Sequence, residues 1–415
     1  CVLDDDGEVV YFLDADISYN REGHSPSITG TDDAGAASKL SDTGVFTLDA
    51  AEYVGKYVHN TTDDTYSPIT AKDSNDVLSI ADDIMDSGED FEICTAGIAD
   101  GGDGQVMVQI PAFWYRFSVD GDGYPNWDIG MEPFEGASLH PAFHINSEDV
   151  PYRYMSAFEG SMYKASIPGM VAPADIVTGY TIAPGDKLCS LAGEFPKVNE
   201  TRDEYRNISA RRGMGWRQQD FDLASAVQLL NLVEYANFNS QSMIGEGRTA
   251  MSGGGWTADS YIGKCGKSLS DGNGTASVGG NTNAAYMTYR GIENLFGNVW
   301  KWVDGINIKD NLPYICNDDS DFQDDTATGY TALDVTLPNS NNYQETLHPQ
   351  GRGFLPATVG ADATKITDYY YQSTGWRVVR LGGDANDGAA AGAFFLIANA
   401  ASSSAAVYVS ARLCR

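Results

Sequence analysis

The chain has 415 residues, 42% of them hydrophobic and 20% charged, enough apolar material for a large core or for two or three domains. Acidic residues outnumber basic ones 58 to 26, a net charge of −32 with no dense basic patch, which excludes nucleic-acid backbone binding and disfavours contact with anionic surfaces. No apolar run approaches a membrane span, and the six cysteines form no Cys-x-x-Cys pair, so neither a zinc site nor a thioredoxin-like motif is indicated.

In chain order, Cys1 in place of an initiating Met reads as a cut from a longer chain. Residues 9–13 (VVYFL) predict a short strand. Residues 1–104 as a whole, rich in Asp, Ser, Thr and Gly, predict an irregular, β-containing N-terminal region with a short element near 77–85. Carboxylates at Asp4, Asp5 and Asp6 and at Asp120 and Asp122 would suit calcium, but neither group matches the twelve-residue calcium loop. They read as solvated turns, and no cofactor is indicated.

Residues 106–117 (VMVQIPAFWYRF) form the first strong strand pattern, with a hairpin turn at Asp120-Gly-Asp-Gly123. His140 and His144 stand four apart, a metal-ligand spacing only on a helix, and Pro141 argues for a turn instead. Thr201 and Glu204 make a capping box that opens a short helix to about Arg211. Asp220 or Asp222 caps a stronger helix over 223–238, with Leu223, Val227, Leu230 and Val233 on one face and Glu234 as a satisfied carboxylate. After Gln241 the chain is loop-rich, and its glycines lack the spacing of a phosphate-binding loop. Residues 299–303 (VWKWV) and 375–380 (GWRVVR) read as strands, with Trp300, Trp302 and Trp376 in one aromatic core.

The last stretch has a different character. Between Leu381 and Leu413 there is no Lys, Glu, Gln, Met or Trp, although these five types supply 54 residues of the chain. A window of that length should hold about four of them by chance. Its apolar residues sustain no period of 2 or 3.6.

Gly382-Gly383, Gly388, Ala391-Gly-Ala-Phe394, Ala401-Ser-Ser403 and Ser410-Ala-Arg-Leu413 resemble the variable region of proteins diversified by diversity-generating retroelements, a family that includes phage tropism determinants. In that family adenines of a template are copied with errors into the 3′ end of the gene. Asn codons of the form AAC or AAT then become a restricted set of residues that lacks the five absent types. The resemblance implies varied positions at Asp384, Asn386, Asp387, Ala390, Phe395, Ile397, Ala400, Ser404, Ala406 and Tyr408, sharing one exposed ligand-binding face, with Phe395 and Tyr408 as aromatic anchors. Intervening residues such as Phe394, Gly392 and Arg412 would hold the scaffold. Gly297-Asn-Val-Trp-Lys-Trp302 and Gly375-Trp-Arg377 further resemble the C-type lectin fold in its formylglycine-generating-enzyme branch. That implies an α+β fold of small antiparallel sheets, two central helices and long loops over residues 105–415.

These resemblances imply a receptor-binding protein, carried on a virion tail fibre or a cell surface, whose partner is a host-surface protein or a glycan. An enzyme is not expected. The branch's oxidases use a copper-binding cysteine pair near the C-terminus, and no such pair is recognisable from Cys316 and Cys414. No Gly-x-Ser-x-Gly elbow is present, and Glu132-Pro-Phe134 lacks the amide of a calcium-dependent sugar site. A structural tail or baseplate part without a varied face is the other alternative.

Overall fold

The computed structural model describes every residue except 13–27, 51–52, 55, 64, 95–103, 123–124, 165–168, 171–180, 254, 258–259, 349–351 and 362–365. Leu13 of the expected first strand and Gly123 of the expected hairpin turn lie outside the described residues. The rest is rich in β-structure, with α-helices at Arg202–Ala210, Phe221–Tyr235 and Ser240–Ile244. The third, barely more than one turn, is additional to the two that the sequence predicts.

Residues 29–94 build a six-stranded sheet of their own, running from Thr29–Thr31 at one edge to Lys39–Ser41 at the other. Its strands alternate as half-buried strands should: Val77–Ile80 buries Leu78 and Ile80 over a core that includes Leu40, Phe46 and Phe91. The N-terminal region expected over 1–104 is therefore regular, and it does not begin at residue 1. Val2–Leu3 pairs with Gln105–Pro111, and the Cys1 amino group donates to Met107 O at 2.9 Å. Residues 1–11 thus belong to the larger body, and 29–94 are an insertion into it. No strand pairing joins the two among the described residues.

In the larger body, one six-stranded sheet runs in the order Arg217–Gln218, Leu413–Cys414, Tyr152–Ser156, Gln105–Pro111, Val2–Leu3, Val9–Tyr11. The expected strand at 106–117 is split in two, Gln105–Pro111 and Trp114–Val119. Pro111 has no N–H to continue a ladder, and Trp114–Val119 turns away to pair with Pro125–Gly130. The Thr201–Glu204 capping box is present, and Asp220 caps Phe221–Tyr235. That second helix is buried on most sides, but Val233 is exposed rather than on the buried face. Glu234 accepts hydrogen bonds from the Tyr289 hydroxyl and from Arg290. His140 accepts from Ala142 N at the start of a 3-10 turn, and His144 pairs with Asp149, so the two histidines serve different partners.

The sheet that carries the C-terminal stretch has nine strands and is mixed, where small antiparallel sheets were expected. Leu396–Ala400 lies between Trp376–Leu381, antiparallel to it, and Tyr369–Gln372, parallel to it. One face packs Val303, Val379, Leu396, Ala398 and Tyr370, and the other packs Trp300, Trp302, Phe395 and Ile397. Trp376 is not in that core. A bulge between Val303 and Asn307, with Gly305 at φ +70°, resets the register so that Trp376 pairs with Lys309 and stacks on Tyr314 at 5.7 Å. No described helix is long and apolar enough to cross a membrane.

Candidate binding surface

The backbone of residues 382–394 is held by groups from outside it. Gly382 is pressed against the Gly297-Asn-Val-Trp motif: at φ +93°, a Cβ there would lie 2.9 Å from Leu295 O. Gly297 N donates to Gly382 O, and Ala385 N donates to Asn298 O. Met251 N donates to Ala385 O, and Gly388 N donates to Thr249 O. Side chains do the remainder. Gln241 Nε2 donates to Gly388 O and Ala391 O at 2.7 and 2.8 Å, and Gln228 Nε2 donates to Ala393 O at 2.6 Å. Asp368 accepts from Phe394 N at 2.7 Å, directly over Gly392, where a Cβ would sit 2.2 Å from a carboxylate oxygen. Farther on, Arg412 is buried and donates to the carbonyls of Ser156, Glu293 and Asn294. Of the side chains expected to vary, Asp387 accepts from Asp384 N and Asp384 from Asn386 N, within their own turn.

Those side chains gather on one side of the nine-stranded sheet. Trp302 pairs with Arg380, Arg380 with Ile397 and Ile397 with Tyr371, and paired residues project to the same side. Phe395, two residues before Ile397, shares that face and meets Trp300 edge-on at 4.5 Å, with Tyr369 and Tyr371 beside it. Ala390, Ala406 and Tyr408 pack over the same cluster from above. Phe394, by contrast, points to the opposite core with Phe238 and Phe354.

Exposure corrects the expectation of a single open face. Phe395 is 0% exposed, and Asp384, Ile397 and Ala400 are buried as well. Phe395, Ile397 and Ala400 form the floor of a cluster against which Tyr369, Tyr371 and Tyr408 pack, and Asp384 is buried near Asp387 and Arg380. Asn386 is exposed, while Asp387, Ala390, Ser404, Ala406 and Tyr408 are half-buried. Ser404 sits in a separate turn, donating its N–H to Ala401 O.

The surface includes residues that lie outside the varied stretch. Arg380 is 8% exposed and stacks on Trp300, Trp302 and Tyr408, its carbon centre 5.3 to 5.9 Å from the three rings. Its Nη2 reaches Asn399 Oδ1 at 3.5 Å, and its Nε has no partner. Burial pulls its pKa down, and Asp384 and Asp387 oppose this through space. Burial pushes the Asp384 carboxyl up to about 8, helped by the neighbouring Asp387, and burial pushes Asp387 up to about 6. Trp256 lies 5.3 Å from Tyr408, and Tyr343, Tyr369 and Tyr371 form a row with ring spacings of 4.9 and 4.7 Å. Beside Tyr343 opens a cleft of about 400 Å³ lined by Asn239, Gln241, Ser242, Thr367 and Ala389.

Sequence reasoning passed over Arg380, Trp256 and the tyrosines. The Tyr369-Tyr-Tyr371 run is the one signal that pointed there: alternate tyrosines on a strand share a face. Cys316 and Cys414 donate to different carbonyls, Asp318 O and Gln218 O, and burial pushes the Cys414 thiol up to about 12. No protein-family model matches the chain, and no curated protein matches it.

Proposed function

We propose that this protein recognises a ligand through residues 381–413 and that this stretch is diversified by a retroelement, on a scaffold of the C-type lectin fold in its formylglycine-generating-enzyme branch. A virion tail-fibre tip or a cell surface is the setting that fits such a role, and its mechanism is recognition without chemistry. The observation that carries the reading is the division of labour just described. The backbone of 382–394 is fixed largely by Gln228, Gln241, Asp368, Thr249 and Asn298, all outside the varied positions, while Asp384 and Asp387 hold only the 384–387 turn. A backbone held in this way tolerates exchange of the side chains that reach the surface, such as Asn386, Ala390, Ala406 and Tyr408. The arrangement supports Ala390, Ala406 and Tyr408 acting together at the surface, since all three pack over one cluster whose buried floor includes Phe395, Ile397 and Ala400.

The experiment is to sequence the DNA that flanks the gene. A near-copy of the 3′ end, with AAC or AAT at the codons of the ten positions and a reverse transcriptase gene beside it, is the expected result. Flanking DNA without that repeat ends the diversification reading and leaves a fixed recognition or structural part.

A further inference from the structure

Resting on the recognition role proposed above, we infer that the ligand is a neutral oligosaccharide, bound without calcium along the tyrosine row between the cleft beside Tyr343 and Arg380. Three features of the surface converge on this chemistry. The first is the row itself. Tyr343, Tyr369 and Tyr371 touch in succession and are each half-buried, so they offer rigid apolar area at the surface together with polar tips. Sugar rings are amphipathic in the same way, with C–H faces that stack on aromatic rings and hydroxyls at their edges.

The second feature is the cleft. Its lining of Asn239, Gln241, Ser242 and Thr367 is polar without being charged, and its volume of about 400 Å³ falls in the range of small-molecule sites. Gln241 Nε2 is spent on Gly388 O and Ala391 O, Asn239 Oδ1 on Ser242 N and the Ser242 hydroxyl proton on Asn239 O; the Asn239 Nδ2 donor, the Gln241 Oε1 acceptor and the Thr367 hydroxyl oxygen remain for sugar hydroxyls. The third feature lies at the other end of the row. Arg380 is a donor-only group, nine-tenths buried; its unpartnered Nε is shut off from the surface, so its Nη groups, one of them 3.5 Å from Asn399 Oδ1, are what a ligand would meet. The Asp387 carboxylate, close enough to Tyr371 and to Arg380 to act on both, is an acceptor-only group. Adjacent hydroxyls satisfy such a pair at once, one accepting and one donating.

Charge and relief decide against the alternatives. An acidic glycan would meet the Asp387 carboxylate on a chain of net charge −32, and a cationic peptide would meet Arg380. A protein partner draws its affinity from protruding anchors seated in pockets. Here the accessible varied positions Ala390 and Ala406, and the exposed Ala389 and Ala405 beside them, are small and leave the tyrosines as the prominent groups. Among the described residues no three His, Cys, Asp or Glu side chains converge as a bound cation would need, so contact is by direct hydrogen bonds and stacking.

The test is an array of defined neutral and acidic oligosaccharides probed with the full chain in EDTA, followed by calorimetry on the strongest binder. Neutral members should bind, and EDTA should not diminish the signal. Tyr371→Ala should weaken binding about tenfold or more, as loss of an anchor does, and Tyr371→Phe should restore most of it. Because Tyr371 also packs on Phe395, Ala389→Trp serves as a second variant. It fills the mouth of the cleft from an exposed position and should block binding without altering the melting temperature. Binding only to acidic members, loss in EDTA, an empty array, or unchanged binding by Ala389→Trp would each overturn the inference. An empty array alongside a flanking template repeat ends the glycan assignment and leaves the recognition role standing.

Discussion

Phe395 changes role once its surroundings are known. As an exposed anchor it would tolerate truncation, but with Trp300, Tyr369 and Tyr371 around its ring it is a core residue. Phe395→Ala is expected to cost about 3–5 kcal/mol in chemical denaturation, and Tyr408→Ala, half-buried at the rim, distinctly less. Equal losses for the two would put Tyr408 in the core as well. Asp384 gives a second test, by pH. Its carboxyl is held protonated to about 8 in the native state, against an ordinary value of 3.8. The folded chain therefore binds more protons than the unfolded one between those values, and stability falls as pH rises through that window. Asp387 acts in the same direction up to about 6. Asp384→Asn keeps the acceptor for Asn386 N, and it should flatten the decline in melting temperature between pH 4 and 8. A profile as steep as the parent's would show that other buried acids, such as Glu293 and Asp368, govern it.

At the scale of the element, the strand Leu396–Ala400 depends on the turn before it. Gly392→Ala would drive a methyl into the Asp368 carboxylate that holds Phe394 N. The expected loss is about 1–3 kcal/mol, as for overpacking, read as a lower melting temperature with binding affected only through folding. The elements that the sequence made legible are those with local signals. The capping box at Thr201, the Asp220 cap and the hairpin after Trp114–Val119 are each written within a few residues. What stayed hidden is set by partners far away in sequence. The bulge at Gly305 decides where Trp376 falls, and no local pattern reveals a register. The parallel pairing of Leu396–Ala400 with Tyr369–Gln372 was equally silent, since a strand buried on both faces shows no alternation. For the same reason the varied positions could be grouped by residue type, but their depth could not be assigned.

Among the described residues, the hydrophobic core of residues 28–94 is separate from the several clusters of the remainder. All seven tryptophans, from Trp114 to Trp376, lie in the larger body. Phe91→Ala, which empties the smaller core, should therefore lower an early unfolding transition seen by circular dichroism or calorimetry and leave the tryptophan-fluorescence transition in place. A shift of both together would mean that the bodies unfold as one cooperative unit.

Under the proposed diversification, the position of Leu413–Cys414 has a consequence for how copying errors would be policed. This strand lies between Tyr152–Ser156 and Arg217–Gln218, and Arg412 beside it supplies three hydrogen bonds to buried carbonyls. It is encoded downstream of every varied codon. A copying error that shifted the reading frame or inserted a stop within the varied stretch would therefore delete a central piece of a sheet built mostly from residues hundreds of positions earlier. Such a product would fail to fold, whereas an in-frame exchange would keep the closing strand. Under that proposal the architecture would be its own quality filter.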